Sequence, residues 1–85
     1  MNHKEFHKVL KHEPFRPFRI HLSNGRTHDV HHPELAIVFR TYVILATPSS
    51  ELIGIAEDYS TITLMHVNEL EILPVPSAGA NGPSQ

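Results

Sequence analysis

The sequence predicts a mainly β fold of α+β character. One short N-terminal helix is followed by five or six short antiparallel strands, forming a strongly bent sheet or a small barrel. Residues 14–26 (Pro14-Phe15-Arg16-Pro17-Phe18-Arg19-Ile20-His21-Leu22-Ser23-Asn24-Gly25-Arg26) combine two proline stops, an alternating strand and a turn signal. Residues 35–39 and 42–46 are two five-residue apolar runs rich in β-branched and aromatic side chains. Ahead of both, only residues 3–12 carry a helical period.

The helix over residues 3–12 has a start signal in Asn2, with Glu5 at capping-box spacing. Phe6, Val9 and Leu10 fall on one face, and Lys8, Lys11 and His12 lie toward the end where cations suit the helix dipole. Pro14 stops it. A helix this short is unstable alone, so Phe6, Val9 and Leu10 are expected to dock on the sheet.

The first strand, residues 17–22, alternates Phe18, Ile20 and Leu22 with Arg19 and His21. Asn24-Gly25 marks a hairpin into a second strand, residues 26–31. A two-residue loop would set Ile20 against Asp29 and Arg19 against Val30, two mismatched pairs. A three-residue loop, Ser23-Asn24-Gly25 with Gly25 left-handed at a bulge, sets Phe18 against Val30 and Arg19 against Asp29. Pairing like with like on each face favours the second register.

His31-His32-Pro33-Glu34 reads as a kink. Strands at 35–39 and 42–46 follow, joined tightly at Arg40-Thr41 or running on as one bent strand. A weak strand is expected at 52–56, interrupted by Gly54. A turn is expected at 57–60, a strand at 61–65, a tight turn at 66–69 and a closing strand at 70–73. Residues 1–73 form one domain, and the Pro- and Gly-containing segment 74–85 is expected to be a disordered tail. The element order resembles the SH3-like and Sm-like small barrels, a likeness of fold from which no function follows.

The same residues 14–26, with His32-Pro33-Glu34 and Leu64-Met65-His66-Val67, resemble a family of small uncharacterised bacterial proteins. Its pattern is P-F-R-P-F-R-I-x-L-x-[DN]-G-R, then H-P-E, then a hydrophobic-His-[Ile/Val] element. The resemblance covers roughly residues 5–73 and implies no activity, cofactor or catalytic residue. The histidines at 3, 7, 12, 28 and 31 lie outside that pattern.

Composition narrows the function classes. The chain has no cysteine, which removes disulfides, thiolate metal sites and thiol catalysis. Its apolar runs are far shorter than the ~20 residues a membrane helix needs, and no signal-peptide core follows the N-terminus. The expected location is cytoplasmic, with no membrane partner. Formal charge is −2 with the eight histidines neutral, which weighs against nucleic acid as the default ligand.

No catalytic constellation is expected. The serines lack a nucleophile elbow, and His32 and Glu34 do not form an acid–base pair from spacing alone. Among histidines, His28, His31 and His32 with Asp29 and Glu34 are the densest candidate metal ligands. His28 and His31 project to opposite faces, so no metal or other cofactor is expected. Nucleic-acid binding through Arg16, Arg19, Arg26 and Arg40, with Phe15, Phe39 or Tyr42 stacking, is an alternative.

The leading expectation is a non-catalytic protein-interaction or assembly module, contacting an unknown protein or a second copy of itself. Small barrels have exposed edges, and residues 35–46 are apolar on both strand faces. Arg16, His21, Arg26 and Arg40 are the candidate surface residues for a protein or nucleic-acid partner. Zinc titration by calorimetry near neutral pH is expected to show nothing tighter than micromolar; a tight one-to-one isotherm would contradict this.

Overall fold

Asn2 starts the first element by capping it. Its Oδ1 accepts from the Glu5 amide at 2.9 Å, and the Glu5 carboxylate accepts from the Asn2 amide at 3.2 Å. The resulting helix α1, His3–Leu10, buries Phe6 and Leu10 and half-buries Val9. It ends two residues before the expected position 12, with the Lys11 amide bonded to the His7 carbonyl at 2.9 Å. The computed structural model describes residues 1–74.

Beyond the helix the strands are β1 (Phe18–Leu22), β2 (Thr27–Val30), β3 (Ala36–Val38), β4 (Tyr42–Pro48), β5 (Ala56–Thr63) and β6 (Val67–Ile72). They form two antiparallel three-stranded sheets, β2-β1-β6 and β3-β4-β5. The chain passes between sheets at two 3-10 turns, Pro33–Leu35 and Leu64–His66. The first is the kink expected at His31-His32-Pro33-Glu34, where Pro33 supplies the helical φ.

The register of the first hairpin is the like-with-like one. Phe18 opposes Val30, Arg19 opposes Asp29, Ile20 opposes His28 and His21 opposes Thr27. The three-residue turn closes with Gly25 N–H to Leu22 C=O at 3.0 Å and Leu22 N–H to Arg26 C=O at 2.9 Å. Gly25 has φ +86°, the left-handed conformation such a bulge demands. Asn24 Oδ1 accepts from the Arg26 amide at 2.9 Å and fixes the turn from its side chain.

β1 is the central strand of its sheet, and β6 covers its other edge with Phe18 opposite Ile72 and Ile20 opposite Leu70. The core lies between the two sheets. The first contributes Phe18, Ile20, Val30 and Val67, the second Val43 and Ile62, with Leu64 from the connecting turn and Phe6 and Leu10 from α1. Phe6 meets Phe18 edge-on at 5.6 Å between ring centres, and Phe15 meets it at 6.1 Å.

The second half of the chain departs from its expected boundaries. The strand expected at 52–56 is replaced by loop over residues 52–55, and Ala56 opens β5 instead. The Ser49 hydroxyl accepts from the Glu51 and Leu52 amides, both at 3.1 Å, and Gly54 turns left-handed at φ +80°. Those bonds build a loop over residues 49–55. The turn expected at 57–60 is instead part of β5, whose polar residues suit an exposed edge strand: Asp58 opposes Thr47 and Ser60 opposes Leu45. The strand expected at 61–65 ends at Thr63. The expected 66–69 turn lies earlier, at Leu64–His66, so β6 starts at Val67 rather than 70. From residue 75 onward the expected tail lies outside the described residues.

Arg40 and Thr41 do join β3 and β4 tightly, with Phe39 N–H to Tyr42 C=O at 2.8 Å. Among the described residues no helix is long and apolar enough to cross a membrane.

Replacing Phe18 by Ala is expected to cost about 3–5 kcal/mol, enough to unfold much of the population of so small a domain. Gly25→Ala meets open space but is forced into a left-handed backbone, and is expected to cost about 1–2 kcal/mol. Urea denaturation checks both; a neutral Phe18→Ala would contradict the core described here.

Candidate functional site

The outer face of the β2-β1-β6 sheet gathers charge. Alternation along β1 places Arg19 and His21 there, opposite the buried Phe18 and Ile20. Arg19 grips Asp29 with two hydrogen bonds, Nε to Oδ1 at 2.7 Å and a terminal nitrogen to Oδ2 at 3.0 Å. His21 Nε2 lies 2.8 Å from a Glu71 carboxylate oxygen, and His31 Nε2 lies 3.9 Å from Asp29. The hydrogen bond from Arg19, with its charge and the histidines alongside, holds the Asp29 carboxyl below its ordinary value against a smaller effect of burial. Arg19 is correspondingly raised by the same hydrogen bond. Arg19, His21, Asp29 and Glu71 are engaged with one another, while Glu69, opposite His21 in register, has no ion pair among the described residues.

A different arrangement occurs where the first hairpin turn approaches the end of the second sheet. A groove of about 520 Å³ is lined on one side by Leu22, Ser23, Asn24, Arg26 and His28, and on the other by residues 60–63 and His66. Its volume is in the ~300–1,000 Å³ range of ligand sites. The turn chemistry of Asn24-Gly25 places Arg26 at its mouth. Pairing with Ile20 turns His28 inward on β2, where it is half-buried. Ser23 N–H bonds to His66 C=O at 2.8 Å, which brings the hairpin turn beside the Leu64–His66 turn. No carboxylate lines this groove.

One wall is the free edge of β5. Leu64 N–H donates to Thr41 C=O at 2.9 Å, and the same register sets Ile62 opposite Val43 and Ser60 opposite Leu45. In an antiparallel ladder the hydrogen-bonded positions alternate. Ser60 and Ile62 therefore face β4, while the amides and carbonyls of Thr61 and Thr63 point away from it.

The sequence candidates do not converge. Arg26 and His28 share the groove. His21 is engaged with Glu71 on the charged face. Arg16 is exposed in the segment before β1, and Arg40 lines a separate shallow hollow with Met1, Thr41 and Met65. His31 and His32 line a cleft with Leu35, Leu45 and Pro48. His32 Nδ1 is 3.9 Å from Glu34, and among the described residues no three His, Asp or Glu side chains are placed to hold one metal ion. Phe39 and Tyr42 stack on each other at 4.5 Å.

Sequence reasoning missed Glu71 as the His21 partner and residues 60–63 with His66 as a groove wall. The alternation of Leu70, Glu71 and Ile72 does signal which way Glu71 faces, but nothing local says that β6 pairs with β1. Comparison of the chain with family models, with curated proteins and with solved structures finds no match.

Asp29 favours folding above about pH 4, its ordinary value, and that contribution disappears as pH falls through the lowered native value. Asp29→Asn is expected to be less stable than the parent near neutral pH and to converge with it in acid. Urea midpoints at the two pH values check this; a constant difference would contradict it.

Proposed function

We propose that this chain is a non-catalytic protein-interaction module that assembles with a second copy of itself through the outer face of the β3-β4-β5 sheet. The observation that carries the reading is an exposed apolar surface that α1 leaves uncovered. Ile37 of β3 is 57% exposed and Tyr59 of β5 is 65% exposed. Register places Ile37, Ile44 and Thr61 in one row across the sheet, with Tyr42 and Thr63 in the next row on one side and Ala46 and Tyr59 on the other. The loop beyond adds Leu52, Ile53 and Ile55, all exposed.

These rows carry no charged side chain. A two-fold dimer brings a patch against its own copy, so any charge on it meets a like charge. An uncharged apolar face avoids that penalty and gains from removal of water. The apolar excess of residues 35–46 supports the same reading: Val38 and Val43 face the core, Ile37 and Ile44 face outward.

Light scattering at micromolar concentration is expected to show a dimer or larger species. Ile37→Glu, on an exposed position, is expected to return it to monomer with the fold intact by circular dichroism. A parent protein that stays monomeric at high micromolar concentration would contradict the reading.

A further inference from the structure

We infer that the groove between the first hairpin turn and the free edge of β5 binds an extended acidic peptide, which adds to the β3-β4-β5 sheet as a further strand. This site adjoins the apolar outer face proposed above for assembly: the two meet at Thr61 and Thr63, whose side chains belong to that face and whose backbone belongs to the free edge.

Backbone chemistry gives the groove its shape preference. Thr61 and Thr63 present amides and carbonyls that β4 does not use, and no other backbone group satisfies them among the described residues. An antiparallel strand laid on this edge gains two hydrogen bonds at Thr61 and two at Thr63. Residues 60–63 offer about 10 Å of edge at the usual rise, room for a short extended segment. Tyr59, next along the edge, has its amide bonded at 2.7 Å to the Asp58 carboxylate, which ends the available stretch.

Charge selects the peptide. Arg26, His28 and His66 line the groove with Ser23 and residues 60–63, and no acidic residue lines it. Arg26 is exposed and forms no ion pair among the described residues, whereas Arg19, seven positions earlier, is held by Asp29. The donors left over converge on one place, although the chain as a whole is net negative. A carboxylate at alternate positions of an added strand meets the Arg26 guanidinium in the bidentate geometry that guanidinium favours. Leu22 and Ile62 supply an apolar floor for the other positions.

Single-stranded nucleic acid is the weaker fit. The groove holds one guanidinium and two imidazoles but no Phe, Tyr or Trp for base stacking, and Phe39 and Tyr42 stack on one another.

The test is an isotope-edited NMR titration of the full chain near neutral pH, using an alternating Glu-Val hexapeptide blocked at both ends. A Lys-Val hexapeptide, oligothymidylate and inorganic phosphate are titrated in parallel. The Glu-Val peptide is expected to shift Arg26, His28, Thr61, Thr63 and His66 and to slow amide exchange at Thr61 and Thr63. Arg26→Ala, a surface change, is expected to weaken binding at least about tenfold. Ile37→Glu, which breaks assembly, is expected to leave peptide binding unchanged, so the two proposals fail separately. Absence of groove shifts at millimolar Glu-Val peptide overturns the inference. So does equal binding of the Lys-Val peptide, tighter binding of oligothymidylate at the same residues, or a response to phosphate as strong as to the peptide without protection of Thr61 and Thr63.

Discussion

The fold depends on keeping Phe18 and Ile20 fully out of water at the centre of β1. β1 is hydrogen-bonded on both edges, and its inward side chains meet α1 and the second sheet in one cluster. Phe6 reaches Phe18 edge-on, so docking of a helix too short to stand alone is tied to formation of the first sheet. The three-residue turn at Ser23-Asn24-Gly25 then decides which side of β2 faces the core. A slip of one residue would expose Val30 and bury Asp29. Core burial and hairpin register are thus one constraint, set within thirteen residues of sequence.

Charges are distributed to match. Alternation sends Arg19, His21, Asp29 and Glu71 to the outer face of the first sheet, where they satisfy one another. The outer face of the second sheet holds Ile37, Ile44 and Tyr59 instead. Between them, at the first hairpin, Arg26, His28 and His66 line a groove without a lining carboxylate, beside an unpaired strand edge. One small domain therefore presents three chemically distinct surfaces: a polar one with paired charges, an apolar one and a groove lined by Arg26, His28 and His66. The assembly and peptide readings rest on the second and third.

The first half of the chain was legible in sequence because its signals are local. The Asn2 and Glu5 cap, the Phe6, Val9 and Leu10 face and the Asn24-Gly25 register each involve residues close together, and all appear in the structure. The second half was less legible because pairing partners, rather than local pattern, shape it. Residues 57–60 look like a turn by composition, yet opposite Thr47, Ala46 and Leu45 they lie in an edge strand where polar side chains cost little. Leu52 and Ile55 look like a strand but belong to a loop held by the Ser49 hydroxyl. Arg26 and His28 were singled out from sequence for different reasons. That they share a groove with Thr61, Thr63 and His66 depends on how two sheets meet, which no window of sequence contains.

The two-sheet architecture, and the peptide site with it, hangs on β5 having one edge paired and the other free. Residue-resolved amide hydrogen exchange on the unliganded protein tests this most directly. The account predicts an alternation along the strand: slow exchange at Ser60 and Ile62, which bond to β4, and fast exchange at Thr61 and Thr63. Equally slow exchange at all four would show the edge already covered and would contradict it.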